Sequence, residues 1–256
     1  MRMVIKVGTS TLTHKTGKLN IRVFEELTKV ISNLKNSGIE VILVSSGAIG
    51  MGAGKLGLSG RPSDIPTKQA AAAVGQSELM YMYDKCFGEY NHTVAQMLLT
   101  ANDFEDEVKH TNLTNTLVRL LQLETLPIIN ENDTVSTAEL SIGDNDTLSA
   151  LVAIDAKADM LVLVSDIEGL YTADPHKDKG AKLISVVDNV DEVLKLGEGT
   201  VSVLGTGGMA TKLQAAKLVT EAGIDMIIMS GSDPDALYGI VEGKRVGTLF
   251  TKRKNK

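Results

Sequence analysis

Short apolar runs rich in β-branched residues recur along this chain, separated by longer stretches of helical period. Val4-Ile5-Lys6-Val7, Val41-Ile42-Leu43-Val44, Leu126-Pro127-Ile128-Ile129, Met160-Leu161-Val162-Leu163-Val164 and Met226-Ile227-Ile228-Met229 read as buried strands. Two further strands are expected around Val94 to Leu99 and Val246 to Phe250. Between the first two strands, Val23, Phe24, Leu27, Val30, Ile31 and Leu34 recur at helical spacing until Gly38, a natural stop. Strands apolar on both faces that alternate with helices predict an α/β chain with a mainly parallel, doubly covered sheet. With 256 residues, 43% of them hydrophobic, the chain can bury one large core or two intimate lobes.

Chemistry-bearing residues gather after the strand ending at Ile129. Asn130-Glu131-Asn132-Asp133 follows it directly, and Gly143-Asp144-Asn145-Asp146 comes soon afterwards. Open α/β sheets bind ligands outside the carboxyl ends of their strands. Carboxylates that accept, beside amides that donate and accept, suit a small zwitterion with an ammonium and a carboxylate. The competing reading is that these residues form turns, with Asp144 or Asn145 capping the helix expected from Thr147 to Ala156. The turns Gly8-Thr9-Ser10 and Ser45-Ser46-Gly47-Ala48 belong to one βαβ unit and should emerge at the same sheet edge.

Lys6 lies inside an apolar strand, where its ammonium either snorkels to the sheet edge or meets an anion. Thr206-Gly207-Gly208-Met209-Ala210-Thr211-Lys212 opens a helix whose free N–H groups and dipole favour phosphate, unless the glycines only serve a turn. No GxxxxGK[ST] motif is present. The GxGxxG spacing at Gly52, Gly54 and Gly57 follows no strand directly and runs on toward Pro62 and Pro66, so a dinucleotide reading fails on context. Gly47 to Gly60 and Arg61 to Pro66 read as a loop, followed by an Ala-rich helix from about Lys68 through Met82; another helix is expected from Asn112 to Leu123. His14, His92, His110 and His176 have no ligand spacing, and Cys86 is a single cysteine. The formal charge of −6 argues against a nucleic-acid surface, and no apolar run is long enough to span a bilayer. A reducing cytoplasm is the expected setting.

Taken in order, these segments resemble the amino acid kinase family, and within it the members that act on glutamate. The match rests on Val4 to Ser10, Val44 to Ile49, Ala73-Val74-Gly75-Gln76, Gln96 to Thr100, Asn130 to Asp133, Gly143 to Asp146, Gly169 to Pro175 and Gly205 to Met209. The resemblance implies a three-layer α/β/α sandwich over residues 1–256, with a glutamate-binding lobe over about 1–157 and an ATP-binding lobe over about 158–256. It implies transfer of the ATP γ-phosphoryl group to the side-chain carboxylate of L-glutamate, the first step toward proline. Acceptors that are acylated, or aspartate, carbamate and nucleotide monophosphates, define the neighbouring alternatives, and a glutamate or proline sensor without turnover is the non-enzymatic one.

On matching family positions, Lys6 and Lys212 would neutralise the transferring phosphoryl group and Asp146 would hold the two lysines. Ser46, Asp133 and Asn145 would bind glutamate with help from Asn130, and Asp133 suits the α-ammonium. Lys6, Ser165, Asp166, Thr206, Gly207, Gly208, Met209, Ala210, Thr211 and Lys212 would bind ATP. Many members carry threonine where Ser165 stands, which keeps the hydroxyl. Magnesium (Mg2+) would arrive on the nucleotide phosphates, with no protein metal site. The region from Gly47 to Pro66 would act as a lid and bear on feedback inhibition by L-proline. A homo-oligomer, dimer or tetramer, is expected. Many members carry a further C-terminal domain resembling RNA-modification modules; here Thr251 to Lys256 reads as a frayed basic end.

Overall fold

The computed structural model describes residues 1–14, 16–60, 62–136, 144–175, 177–199 and 207–253. In chain order its elements are β1 (Arg2–Val7), α1 (Thr9–Leu12), α2 (Ile21–Asn36), β2 (Glu40–Ser45), α3 (Ala48–Lys55), α4 (Ile65–Gly88), β3 (Val94–Leu99), α5 (Asn102–Glu105), α6 (Glu107–Gln122), β4 (Leu126–Glu131), α7 (Asn145–Asp155), β5 (Met160–Ser165), β6 (Val186–Val187), α8 (Val190–Gly199), α9 (Gly207–Glu221), β7 (Asp225–Ser230), α10 (Ala236–Val241) and β8 (Thr248–Phe250). The strands form one sheet in the order β3-β4-β2-β1-β5-β7-β8-β6. Pairings from β3 across to β7 are parallel, whereas β8 runs antiparallel to β7 and carries β6 parallel to itself.

Alternation along the strands divides the core between the two faces of the sheet. Val4, Ile42, Leu163 and Ile228 pack with residues of α6, α7 and α9, such as Leu117, Val152 and Leu213. Ile5, Leu43, Val162 and Ile227 pack on the opposite face with Phe24 and Leu27 of α2, Leu79 and Tyr83 of α4, and Leu237 of α10. The architecture is a three-layer α/β/α sandwich with a mainly parallel sheet.

Helix starts are fixed by short polar side chains that accept from otherwise unpaired N–H groups. Asp64 accepts from Thr67 N and Asp106 from Lys109 N, each at 2.9 Å. Asp144 accepts from Thr147 N at 2.9 Å, so the capping reading of that residue is correct.

Five expectations need correction, the first being the helix expected from Asn112 to Leu123, which runs from Glu107 to Gln122 as α6. The segment read as a loop from Gly47 to Gly60 contains α3, and the Ala-rich helix runs from Ile65 to Gly88 instead of Lys68 to Met82. The reason is close helix packing: a Cβ on Gly52 would lie 1.8 Å from Ala71 O, and one on Gly75 would lie 1.8 Å from Ala48 O. Glycine at both positions lets the backbones of α3 and α4 touch, which compensates for the low helix propensity of Gly50, Gly52 and Gly54. Gly8 stands at the N-cap of the one-turn helix α1, and Thr9 and Ser10 belong to that helix instead of a plain turn. Residues 251–253 are docked: Thr251 N donates to Val187 O, Lys252 N to Asp225 Oδ1 and Arg253 N to Thr220 O. The remaining residues of the basic end lie outside the described residues.

Candidate active site

Strand β1 is where the sheet order reverses, because β2 and β4 extend from one side of it and β5 and β7 from the other. The carboxyl ends of β1, β2, β4 and β5 therefore open on one crevice, the usual ligand position in such sheets. A cavity of about 780 Å3 lies there. Its lining includes Lys6, Ser46, Asn130, Asp133, Asn145, Ser165, Asp166 and Lys212, which joins residues from distant parts of the sequence.

Lys6 alternates with Ile5 and Val7 and so points to the face covered by α7 and α9. Asp146 in the first turn of α7 and Lys212 in the second turn of α9 meet it there. Lys6 Nζ lies 2.7 Å from Asp146 Oδ1 as an ion contact without hydrogen-bond angles, and Lys212 Nζ donates to Asp146 Oδ2 at 3.0 Å. The relative exposures of Lys6, Asp146 and Lys212 are 8%, 3% and 8%. Burial acts to raise the pKa of Asp146, but the ammoniums of Lys6 and Lys212 outweigh it and hold the carboxyl below its ordinary value. Two cations and one anion leave a net positive charge in a nearly dry setting. An arriving anion would complete this cluster.

A second polar group lies beside the first. Asn145 Nδ2 donates to Ser46 Oγ at 2.7 Å and to Asn130 Oδ1 at 2.9 Å. Asn130 Nδ2 donates to Gln76 Oε1 at 2.9 Å. Asn130 is thus engaged by protein groups through both amide atoms and also lines the cavity. Asp133 lines the cavity from the turn after β4, and Glu131 accepts from Ser136 Oγ at 2.8 Å. Ser165 closes β5, where its hydroxyl donates to Asp166 Oδ1 at 3.0 Å.

The run expected to hold a nucleotide is divided. Thr206 lies outside the described residues, as does Gly143 of the central motif. Gly207 and Gly208 open α9, and Ala210 follows in its first turn. The Met209 side chain packs into the core, so only its backbone is available to a ligand. Thr211 Oγ1 lies 3.0 Å from both Asp146 Oδ2 and Gly208 O, its two available acceptors. Among the described members of this run, Lys212 lines the cavity.

Gly8, Thr9, Ser10, His14 and Glu131 also line the cavity without having been singled out as site residues from the sequence, and Gln76 stands behind it. Their positions after strand ends were visible signals for Gly8 to Ser10 and Glu131. No periodicity marks His14 or Gln76. His110, by contrast, lies 2.7 Å from Asp155 through Nε2, and His92 lies 3.3 Å from Ser32 O through Nε2. His176 lies outside the described residues. Among the described residues no group of three or more His, Cys, Asp or Glu side chains is placed to hold a metal ion. No described helix is long and apolar enough to cross a membrane.

A family model described as the amino acid kinase family matches residues 1–230. The glutamate 5-kinase of Clostridium tetani (strain Massachusetts / E88) is 52% identical over 253 residues, covering 98% of this chain and 95% of that protein. The glutamate 5-kinase of Caldanaerobacter subterraneus subsp. tengcongensis is 50% identical over 256 residues, covering all of this chain and 69% of that protein. Among solved structures, carbamate kinase from Giardia lamblia bound to AMP-PNP superposes with a TM-score of 0.71 at 18% identity, covering 98% of each chain. UMP kinase from Bacillus anthracis gives a TM-score of 0.69 at 19% identity, covering 99% of this chain and 96% of the other. At those identities the structural matches bear on the fold alone.

Proposed function

The chain belongs to the amino acid kinase family, and from that premise we propose that it is a kinase using ATP to phosphorylate the side-chain carboxylate of L-glutamate, giving L-glutamyl 5-phosphate as the first step toward proline. The observation that carries this reading is the buried cluster of Lys6, Asp146 and Lys212, whose two lysines line a cavity together with amides and carboxylates. Relatives named glutamate 5-kinase at about half identity over nearly the whole chain supply the acceptor.

In this reading a glutamate γ-carboxylate oxygen attacks the γ-phosphorus of ATP. One P–O bond forms as the bond to the β–γ bridging oxygen breaks, and ADP leaves with the electron pair. No proton moves, because the attacking carboxylate is ionised at neutral pH. The obstacle is repulsion between two anions, so charge neutralisation and in-line positioning carry catalysis. Lys6 and Lys212 meet the phosphoryl oxygens, and Asp146 fixes the two ammoniums while leaving one positive charge in excess.

Ser46, Asn145 and Asp133 bind glutamate, Asp133 toward its ammonium, with Asn130 supporting Asn145. Ser165, Asp166 and residues 206–212 receive the nucleotide. In this reading residues about 1–157 form a glutamate lobe and residues about 158–256 an ATP lobe. Magnesium travels on the nucleotide phosphates and adds positive charge there. The same reading includes a cytoplasmic homo-oligomer subject to inhibition by L-proline.

The test is ADP release by purified protein with ATP, magnesium and L-glutamate, in parallel with N-acetylglutamate, aspartate and carbamate. Hydroxylamine traps acyl phosphate. Glutamate-dependent ADP with an equal yield of γ-glutamyl hydroxamate is the expected result; turnover with another acceptor and none with glutamate would overturn the assignment.

A further inference from the structure

The amide groups behind the cavity have orientations fixed by backbone atoms. The Glu131 N–H can only donate, and it does so to the Asn130 side chain at 2.9 Å; that atom is therefore Oδ1. The Asn130 amide nitrogen must then face Gln76, which is consequently held with Oε1 toward it at 2.9 Å. The same Asn130 Oδ1 receives Asn145 Nδ2 at 2.9 Å. A second backbone atom agrees, since the Ser45 carbonyl, which can only accept, lies 3.4 Å from the same Asn145 nitrogen.

This chain of orientations ends on the Ser46 hydroxyl. An amide nitrogen cannot accept, so the 2.7 Å contact from Asn145 Nδ2 makes Ser46 Oγ an acceptor. The Ser46 proton is left pointing elsewhere, and the hydroxyl lines the cavity.

We propose that Gln76 is a positioning residue for the acceptor substrate: by accepting from Asn130 it braces the orientation that the Glu131 N–H gives Asn130, and through Asn145 this keeps Ser46 as a hydrogen-bond donor toward a substrate oxygen. Gln76 sits on α4, beside the Gly75 backbone contact with α3, and is itself 8% exposed. A small acid has oxygens able to receive the Ser46 proton, whereas a bare ammonium at that point would face a donor. The relay therefore selects where the carboxylate and the ammonium of a zwitterion lie. This inference rests on glutamate as acceptor.

The decisive experiment is a steady-state comparison of wild type, Gln76→Leu, Gln76→Glu, Ser46→Ala and the double variant Gln76→Leu/Ser46→Ala. Leucine removes the acceptor for Asn130. It should raise the glutamate KM about tenfold, the order expected for one buried hydrogen-bond partner lost, with the ATP KM within about twofold. Glutamate at position 76 keeps an acceptor oxygen in the same place and should recover most of that rise. Because Gln76 acts through Ser46, adding Gln76→Leu to Ser46→Ala should raise KM little further. Additive effects in the double variant, or equal rises in the KM of glutamate and ATP, would overturn the relay. Should Gln76→Leu not fold, Gln76→Asn draws the acceptor back by one methylene and carries the same comparison. A wild-type enzyme inactive with glutamate would overturn the substrate assignment, whereas an active wild type with an unmoved KM in Gln76→Leu would overturn only the relay.

Discussion

Asp146 divides its two oxygens between two lysines and keeps one positive charge in excess at the place where negative charge would pass from nucleotide to acceptor. Removing Lys212 should therefore affect the transition state more than the resting complex. Lys212→Ala should lower kcat about 10²–10³-fold, the range for loss of one preorganised donor, with a small change in glutamate KM. Kinetics showing intact kcat and a raised KM would reassign Lys212 to ground-state binding. The carboxylate also links stability to pH. Its folded pKa is depressed below the unfolded value, about 3.9. The stabilisation is consequently complete above that value and is lost as pH falls through the lower folded value. Asp146→Asn leaves two buried ammoniums without their anion and should destabilise the protein at neutral pH by about 3–5 kcal/mol. Its Tm should also fall less steeply than that of wild type on acidification below roughly pH 5. Parallel Tm curves from calorimetry would show that Asp146 does not couple folding to protons. Lys6 was legible in the sequence because a lysine between Ile5 and Val7 needs an anion or a sheet edge; Gln76 stood in the matched segment Ala73 to Gln76, but its place behind the site was not legible, because its helix is Ala-rich and no apolar stripe tells its inner face from its outer one.

At the scale of elements, α3 and α4 show how tertiary contact overrides local preference. Three glycines in α3 disfavour an isolated helix, and the proline at position 66 drew the reading toward a loop. Yet Asp64 caps α4 and Pro66 stands in its first turn, where a missing N–H has no cost. Both signals were in the sequence. The backbone contact between Gly52 and Gly75 was not, because it depends on two helices meeting 23 residues apart. Gly75→Ala would drive a methyl group into the Ala48 carbonyl and force the helices apart. The expected cost is about 1–3 kcal/mol, typical of overpacking, with a raised glutamate KM because Ala48, Ile49 and Gly50 line the cavity. Denaturant midpoints give the stability part; an unshifted midpoint would mean that the helices can separate freely. The strands were easier to find, since burial on both faces makes their sequences nearly continuous in apolar residues. The exception is β6, two residues whose pairing with β8 depends on the end of the chain folding back, whereas β8 itself is the strand expected around Val246 to Phe250.

At the scale of the whole molecule, one sheet carries both halves of the proposed chemistry. Lys6 on β1 stands between β2, which leads to Ser46, and β5, which leads to Ser165 and Asp166. The α7·α9 contact closes over that junction through Asp146 and Lys212. The proposed glutamate and ATP lobes, joined by one continuous sheet and a buried ion cluster, should unfold together. Calorimetry should then show a single transition, and either ligand alone should raise it. A ligand present at 100 times its Kd contributes about 2.7 kcal/mol. For a chain of this size that corresponds to a Tm rise of roughly 5–10 °C. The rise with glutamate should be reduced in Gln76→Leu and nearly retained in Lys212→Ala, because the first change acts on acceptor binding while the second acts in the transition state. Two transitions, with each ligand moving a different one, would mean that the ion cluster does not bind the lobes into one cooperative unit.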